Sequence, residues 1–322
     1  MSTLVVDVVT SDDALHRLGP AWQYLWQRAP AATPFQSPIW LLAWWRVFGT
    51  QHPVLACLYA DSRLAGILPL YLLDDVEGRK LLPIGVSLSD YFDVLLEAGA
   101  PDDAADVLLA AALRTGADSG VGWCDLIDVH PDASLRHVQP PAGWLADWRR
   151  TEPCPVLTLH DEAVPKRQRR KLRMAGHRAD RLGGCRFEWS SGADLARHMD
   201  ALLRWNGAIW GMDAVTWQFH QAAAAAMHSA DLLRLGVLHL GDSVAACCTV
   251  MPQGSDRLLF HLTGFDPAYG AASPGSLLLA AVIEAARAEG RSEMHFLRGG
   301  EAYKHAWGAR DRHNAACRLR CL

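Results

Sequence analysis

Four stretches of the 322-residue sequence concentrate the residue types that acid-base and anion-binding chemistry needs. Lys166 to Arg186 holds nine Lys or Arg residues and one acid, Asp180. Within it Leu172, Ala175, Ala179 and Leu182 recur at three, four and three residues, which predicts one apolar stripe of a helix starting after Pro165. Lys166, Arg167, Arg169, Arg170, Lys171, Arg173 and Arg178 are left largely on the other faces. A solvated face is the plain explanation. The absence of neutralising acids instead favours a phosphate-bearing partner: coenzyme A, a nucleotide-linked or lipid substrate, an anionic membrane, or tRNA.

The second stretch, Thr263 to Ser276, leads from a strand into the apolar helix that begins near Leu277. Small residues before a helix leave backbone N–H groups free where the dipole favours an anion, so Ser273, Gly275 and Ser276 are candidate pyrophosphate binders. Ser-Pro-Gly is equally a good ordinary helix start. The third, Leu297 to Gly308, gathers Glu301, Tyr303 and Lys304 beyond the last expected strand, beside Gly299 and Gly300. The fourth, Ser89 to Asp93, is a polar interruption in an apolar region and contains Asp90.

Composition limits what such residues can serve. Half the residues are apolar and 20% are charged, as in a protein with a substantial core, and the net charge of −4 gives no global reason to expect nucleic acid. The apolar runs are too short to span a bilayer, and the N-terminal residues lack a basic region, which predicts no signal peptide and a cytoplasmic protein, with peripheral membrane contact as an extension. Eight cysteines, none in a Cys-x-x-Cys pair, are expected to be reduced and mostly buried, with no metal. Several of the 13 tryptophans sit together at Trp22, Trp26, Trp40, Trp44 and Trp45. They are expected to pack two helices onto a sheet, with an apolar groove for a greasy substrate as the alternative.

The elements expected to position these residues come in a repeated order. A strand over 4–9, helices over 14–28 and 37–48, a hairpin over 54–72, strand-like residues over 80–96, a helix over 102–115 and a strand over 123–129 make one α/β programme. A strand over 185–189, helices over 194–206 and 216–227, a hairpin over 232–251, a strand over 258–264, a helix over 275–289 and a strand over 293–297 make the second. Two copies of one unit are expected, residues 1–150 and 151–322, with the boundary in the proline-punctuated 139–165.

In that order, Phe35-Gln36-Ser37-Pro38-Ile39-Trp40, Leu68-Pro69-Leu70, Ser89-Asp90-Tyr91, Arg169-Arg170-Lys171-Leu172-Arg173, Gly264-Phe265-Asp266-Pro267, Ser273-Pro274-Gly275, Leu297-Arg298-Gly299, Tyr303-Lys304 and Trp307-Gly308 cover both halves. Together they resemble the tandem GNAT acyltransferases of bacteria, including those linked to cellulose biosynthesis, which are related to the Fem-type peptidyltransferases. His295 departs from the pattern, which usually has an acid ahead of Phe-Leu-Arg-Gly. The resemblance implies an α/β fold of two GNAT-like units, each a mixed sheet flanked by helices. It implies an N-acyltransferase moving an acyl group from acyl-CoA, a co-substrate, to an amine-bearing small molecule or lipid, without a cofactor or metal. Asp90 or Glu301 would act as base, Tyr303 as acid and Lys304 as oxyanion or phosphate partner; by resemblance to Fem-type relatives, Asp90 and Lys304 are favoured. The pyrophosphate would lie at Ser273–Ser276, with Arg169, Arg170 and Arg173 as further phosphate partners. An aminoacyl-tRNA-dependent peptidyltransferase and a non-catalytic module of polysaccharide or lipid assembly are the alternatives.

Overall fold

The computed structural model describes residues 3–50, 52–160 and 164–322, and the chain divides into two units. Unit 1 runs to Glu152 and takes back His313–Leu322, whereas unit 2 is Pro153–Arg312.

Unit 1 begins with β1 (Leu4–Val9), α1 (Asp12–Arg28) and α2 (Pro38–Phe48). The Ser11 hydroxyl caps α1 by accepting from Ala14 N, and Asp12 and Asp13 in its first turn suit the helix dipole. Leu15, Leu18, Trp22 and Leu25, spaced three, four and three, are its buried stripe. Ser37 caps α2, where Trp40, Trp44 and Trp45 are all buried. Trp40 Nε1 donates to Ser89 Oγ at 2.9 Å, and Trp45 Nε1 donates to Asp12. These three tryptophans are core, and the greasy-groove alternative does not apply to them.

The unit continues through β2 (Pro53–Ala60), β3 (Arg63–Asp75), β4 (Gly78–Pro83), the short β5 (Leu95–Leu96), α3 (Ala104–Asp118), β6 (Trp123–Val129) and β7 (Trp144–Thr158). β1, β2, β3 and β4 pair antiparallel in that order, and β6 joins β4 in parallel. A final strand beyond residue 309 pairs antiparallel with β6, so the last ten residues complete this unit.

Unit 2 starts with α4 (Lys166–Asp180), β8 (Cys185–Trp189), α5 (Leu195–Trp210) and α6 (Ala214–Ser229). It goes on through β9 (Arg234–Leu240), β10 (Ser243–Gln253), β11 (Arg257–Phe265), α7 (Pro274–Ala288), β12 (Glu293–His295) and α8 (Ala302–Ala306). The terminal strand mentioned above is β13 (Arg310–Cys321). β8, β9, β10 and β11 pair antiparallel, β12 joins β11 in parallel, and residues 156–158 of β7 pair antiparallel with β12. Each unit is thus a mixed sheet with helices, in one shared order: strand, two helices, three antiparallel strands, helix, parallel strand. This is an α/β architecture of GNAT-like type.

Two contacts matter for the site. A Cβ on Gly264 would lie 2.9 Å from Trp205 Cβ and 3.1 Å from both Asn206 N and Leu202 O. Only glycine lets the α5 backbone lie on β11 there, and Asn206 Nδ2 fastens the approach by donating to Thr263 O at 2.9 Å. On the other side Ala179, near the end of α4, packs with Ala272 and Leu277 at the start of α7, while Leu172 joins the cluster containing Val282, Ile283 and Ala286. The stripe of α4 is Gln168, Leu172, Ala175 and Ala179; Leu182 lies past the helix end and is 46% exposed.

Candidate active site

The parallel pair β11 and β12 separates almost as soon as it forms. Only Arg257, Leu258 and Leu259 pair with Glu293, Met294 and His295. Beyond His295 the chain turns to β7: Phe296 N donates to Pro155 O at 2.9 Å and Gly299 N to Pro153 O at 3.0 Å. The β11–β12 ladder stops at Leu259 and His295, and Phe260 and Phe296 meet edge to face at 5.9 Å at the mouth of the gap that opens there. β11 also carries an extra residue at His261–Leu262 opposite Thr249, and Thr249 Oγ1 accepts from Leu262 N at 3.0 Å. Such a bulge bends a strand and redirects its backbone groups. Burial and, secondarily, the Arg298 guanidinium push the His261 imidazole down to about 3, so it is neutral at physiological pH.

Next to the gap stands the Leu297–Trp307 loop. Leu297 is buried in a left-handed conformation at φ 58°, which bulky residues adopt only under constraint. Besides the two backbone bonds to β7, Lys304 braces the turn. Its side chain is 4% exposed, and Nζ donates to Arg298 O at 2.7 Å and to Gly299 O at 2.9 Å, with Leu297 O at 3.5 Å. Glu301 Oε2 lies 2.8 Å from the same ammonium. That contact is an ion pair without hydrogen-bond alignment, since the ammonium protons face the carbonyls. Gly299, at φ 101°, takes a backbone conformation that L side chains rarely adopt, and a Cβ there would also fall 2.7 Å from both Glu301 carboxylate oxygens and displace them.

Tyr303, on the single helical turn α8, sets its ring edge to face against Phe296 at 6.2 Å. The residue is 41% exposed, yet burial of its phenol end and then the Glu301 carboxylate raise its pKa well above the ordinary tyrosine value. It is therefore a protonated donor throughout the neutral range.

At the start of α7, Ser273 adopts a left-handed conformation at φ 53° and its carbonyl accepts from Ser276 N and Leu277 N. Gly275 would tolerate a Cβ, whose nearest neighbour is Phe265 at 3.5 Å. The cation of the basic helix that reaches this region is Arg178, whose Nη1 donates to Ala271 O at 2.8 Å. Arg169, Arg170 and Arg173 are exposed along the earlier turns of α4. Asp90 lies in unit 1, half-buried, with its carbonyl accepting from Asn314 Nδ2 at 2.8 Å. Glu301, Tyr303 and Lys304 are thus gathered in one loop of unit 2, and Ser273–Ser276 lie at a helix start of the same unit.

One charged group at the base of the gap escaped the sequence analysis. Glu293 pairs with Arg257 at 3.3 Å and Arg312 at 2.6 Å and is hydrogen-bonded to buried His295 at 3.0 Å. His295, then Arg312 and Arg257, hold the Glu293 carboxyl down at about 2. A depressed carboxyl contributes stability above its unfolded value, near 4.3, and loses it as pH falls toward 2. Glu293→Gln is expected to lower the urea midpoint at pH 7 and to flatten its decline between pH 5 and 2. Parallel acid limbs in the two proteins would remove Glu293 from this role.

All eight cysteines are free thiols, and six are buried. Among the described residues no three His, Cys, Asp or Glu side chains form a metal-binding group, and no helix is long and apolar enough to cross a membrane.

Residues 166–305 match the family described as "Acetyltransferase (GNAT) domain". No curated protein sequence matches the chain. Among solved structures the fold is similar to that of FemX, with TM-score 0.66 and 12% identity over 93% of this chain and 95% of that one. It is also similar to a protein of unknown function from Bacteroides thetaiotaomicron, with TM-score 0.61 and 11% identity over 99% and 100% of the two chains. L-PGS from Bacillus licheniformis gives TM-score 0.57 and 11% identity over 86% and 90%. At these identities the likeness is one of fold. The match over 166–305, which contains the gap, the Leu297–Trp307 loop and the start of α7, supports acyltransferase activity that takes acyl-CoA as co-substrate.

Proposed function

We propose that the protein is a tandem GNAT-type N-acyltransferase whose unit 2 binds acyl-CoA and passes the acyl group directly to an amine carried by a small molecule, a lipid or an envelope precursor. The observation that carries this reading is the early parting of β11 from β12 after Leu259 and His295, with Phe260 against Phe296 at the edge of β11, within the matched residues. The two amides of a pantetheine arm can pair with that edge as an added strand would. Within Ser273–Ser276 the pyrophosphate would meet the backbone N–H of Gly275, since Ser273 N and Ser276 N already donate to Gly270 O and Ser273 O and Pro274 has no N–H, and the α7 dipole and Arg178 favour an anion there.

With the thioester in the gap, the amine nitrogen attacks the carbonyl carbon, a C–N bond forms and the C–S bond breaks. The amine proton goes to a carboxylate, for which we assign Glu301 in unit 2, while Asp90 is the acid that the Fem-type resemblance assigns to the same task. The departing thiolate takes its proton from Tyr303, which is recharged from solvent. We assign Lys304 to hold the loop rather than to touch the acyl oxygen, because its ammonium already faces three carbonyls. Purified protein incubated with acetyl-, octanoyl- and palmitoyl-CoA and a panel of amines should release free CoA and add the acyl mass to the acceptor. Saturable acyl-CoA binding without transfer to any amine would leave a non-catalytic module instead.

A further inference from the structure

We propose that the outward face of α4 is a docking surface for an anionic lipid bilayer. Residues 166–186 carry nine Lys or Arg against one acid, a charge of +8, while the other residues carry 22 against 34, a charge of −12. Net positive charge is therefore concentrated in this segment while the rest of the chain is net negative, which orients the encounter with a negatively charged surface.

The structure leaves those charges free. Lys166, Arg167, Arg169, Arg170, Lys171 and Arg173 are exposed, and none forms an ion pair with a described residue. Gln168, Leu172, Ala175 and Ala179 turn inward and span only about 60° of the helix circumference. Cations occupy most of the remainder, so the helix presents charge over a broad convex face. Met174 and Leu182 stand among them, 47% and 46% exposed. Apolar tips between cations suit the headgroup and acyl boundary, where Arg and Lys stems lie along apolar surface with their charges in the headgroups. No Phe, Tyr or Trp lies between residues 166 and 186, and the imidazole of His177 is the one ring there, a poor stacking platform for successive bases, which favours lipid over nucleic acid. Because Arg178 ties α4 to Ala271, a docked helix would hold the loop before α7 close to the headgroups.

The proposal stands apart from acyl transfer, since docking is measured without turnover. The full-length protein is floated with vesicles of phosphatidylcholine alone or mixed with phosphatidylglycerol, at low and high salt. Binding is expected only to the mixed vesicles and should weaken as salt rises. A Lys166→Glu, Lys171→Glu, Met174→Asp variant, all exposed positions, should bind on the order of 100-fold less tightly while keeping the parent circular dichroism spectrum. Equal binding to neutral vesicles, or unchanged binding by the variant, would overturn the proposal. Displacement from the mixed vesicles by tRNA at equal phosphate concentration would give the face to nucleic acid instead.

Discussion

Lys304→Met is expected to lower stability by about 3 kcal/mol and turnover on the order of 100-fold, and the two losses should travel together. Methionine keeps most of the stem volume, so the change isolates the charge. Without the ammonium the carbonyls of Arg298 and Gly299 lose their donor and the Glu301 carboxylate loses its counter-ion. The figure sits at the low end for a broken buried pair because Glu301 is about a third exposed and water can reach it. The left-handed turn at Leu297 then loses the ammonium that braces its carbonyls, and relaxation of that turn would carry Tyr303 away from Phe296. A melting temperature about 10 °C below the parent is the expected reading. Lys304→Arg should recover little, because a planar guanidinium cannot sit among oxygens arranged for a compact ammonium. A Met variant that loses turnover at an unchanged melting temperature would instead place Lys304 against the substrate.

The repeat of elements and most of the site segments could be read from sequence because they rest on local patterns. The hairpin across Asp242-Ser243, the capped α1 and the stripe of α4 follow from periodicity and turn chemistry, and β8 appears at the residues expected. Two strands were not legible. β7 contains Pro153 and Pro155, which argue against a paired strand, yet both keep their carbonyls in the ladder by accepting from Gly299 N and Phe296 N. β13 begins Arg-Asp-Arg-His and ends Arg-Leu-Arg-Cys, and its strand character comes from pairing with β6, 193 residues earlier for Arg318 and Asp125, which also share a bidentate ion pair. The same limit applies at the site. Glu301, Tyr303 and Lys304 are adjacent in sequence and could be picked out together, but the direction of the Lys304 ammonium depends on Leu297 reversing the chain, and no propensity marks a leucine for that. Glu293, Arg257 and Arg312 meet only because parallel pairing sets Arg257 opposite Glu293.

Tyr303→Phe should reduce kcat by 10²- to 10³-fold with little change in the KM for acyl-CoA and in stability. The phenylalanine ring keeps the edge-to-face contact with Phe296, so what disappears is the hydroxyl. That hydroxyl is protonated at neutral pH because burial and the neighbouring Glu301 carboxylate both disfavour phenolate. A group so held is protonated when the C–S bond breaks and can share its proton with the departing sulfur, and being a weaker acid than a thiol it readily recovers that proton. The alkaline limb of the parent pH profile should therefore not contain the tyrosine, and the variant should retain the shape of that limb at reduced height. The decisive comparison is between acyl-CoA and an aryl thioester of the same acyl group. An aryl thiolate is a weaker base and departs without help, so the variant should be far less impaired with the aryl donor. If both donors suffer alike, the hydroxyl acts before C–S cleavage, by orienting the thioester or the amine, and the assignment of Tyr303 as acid is wrong.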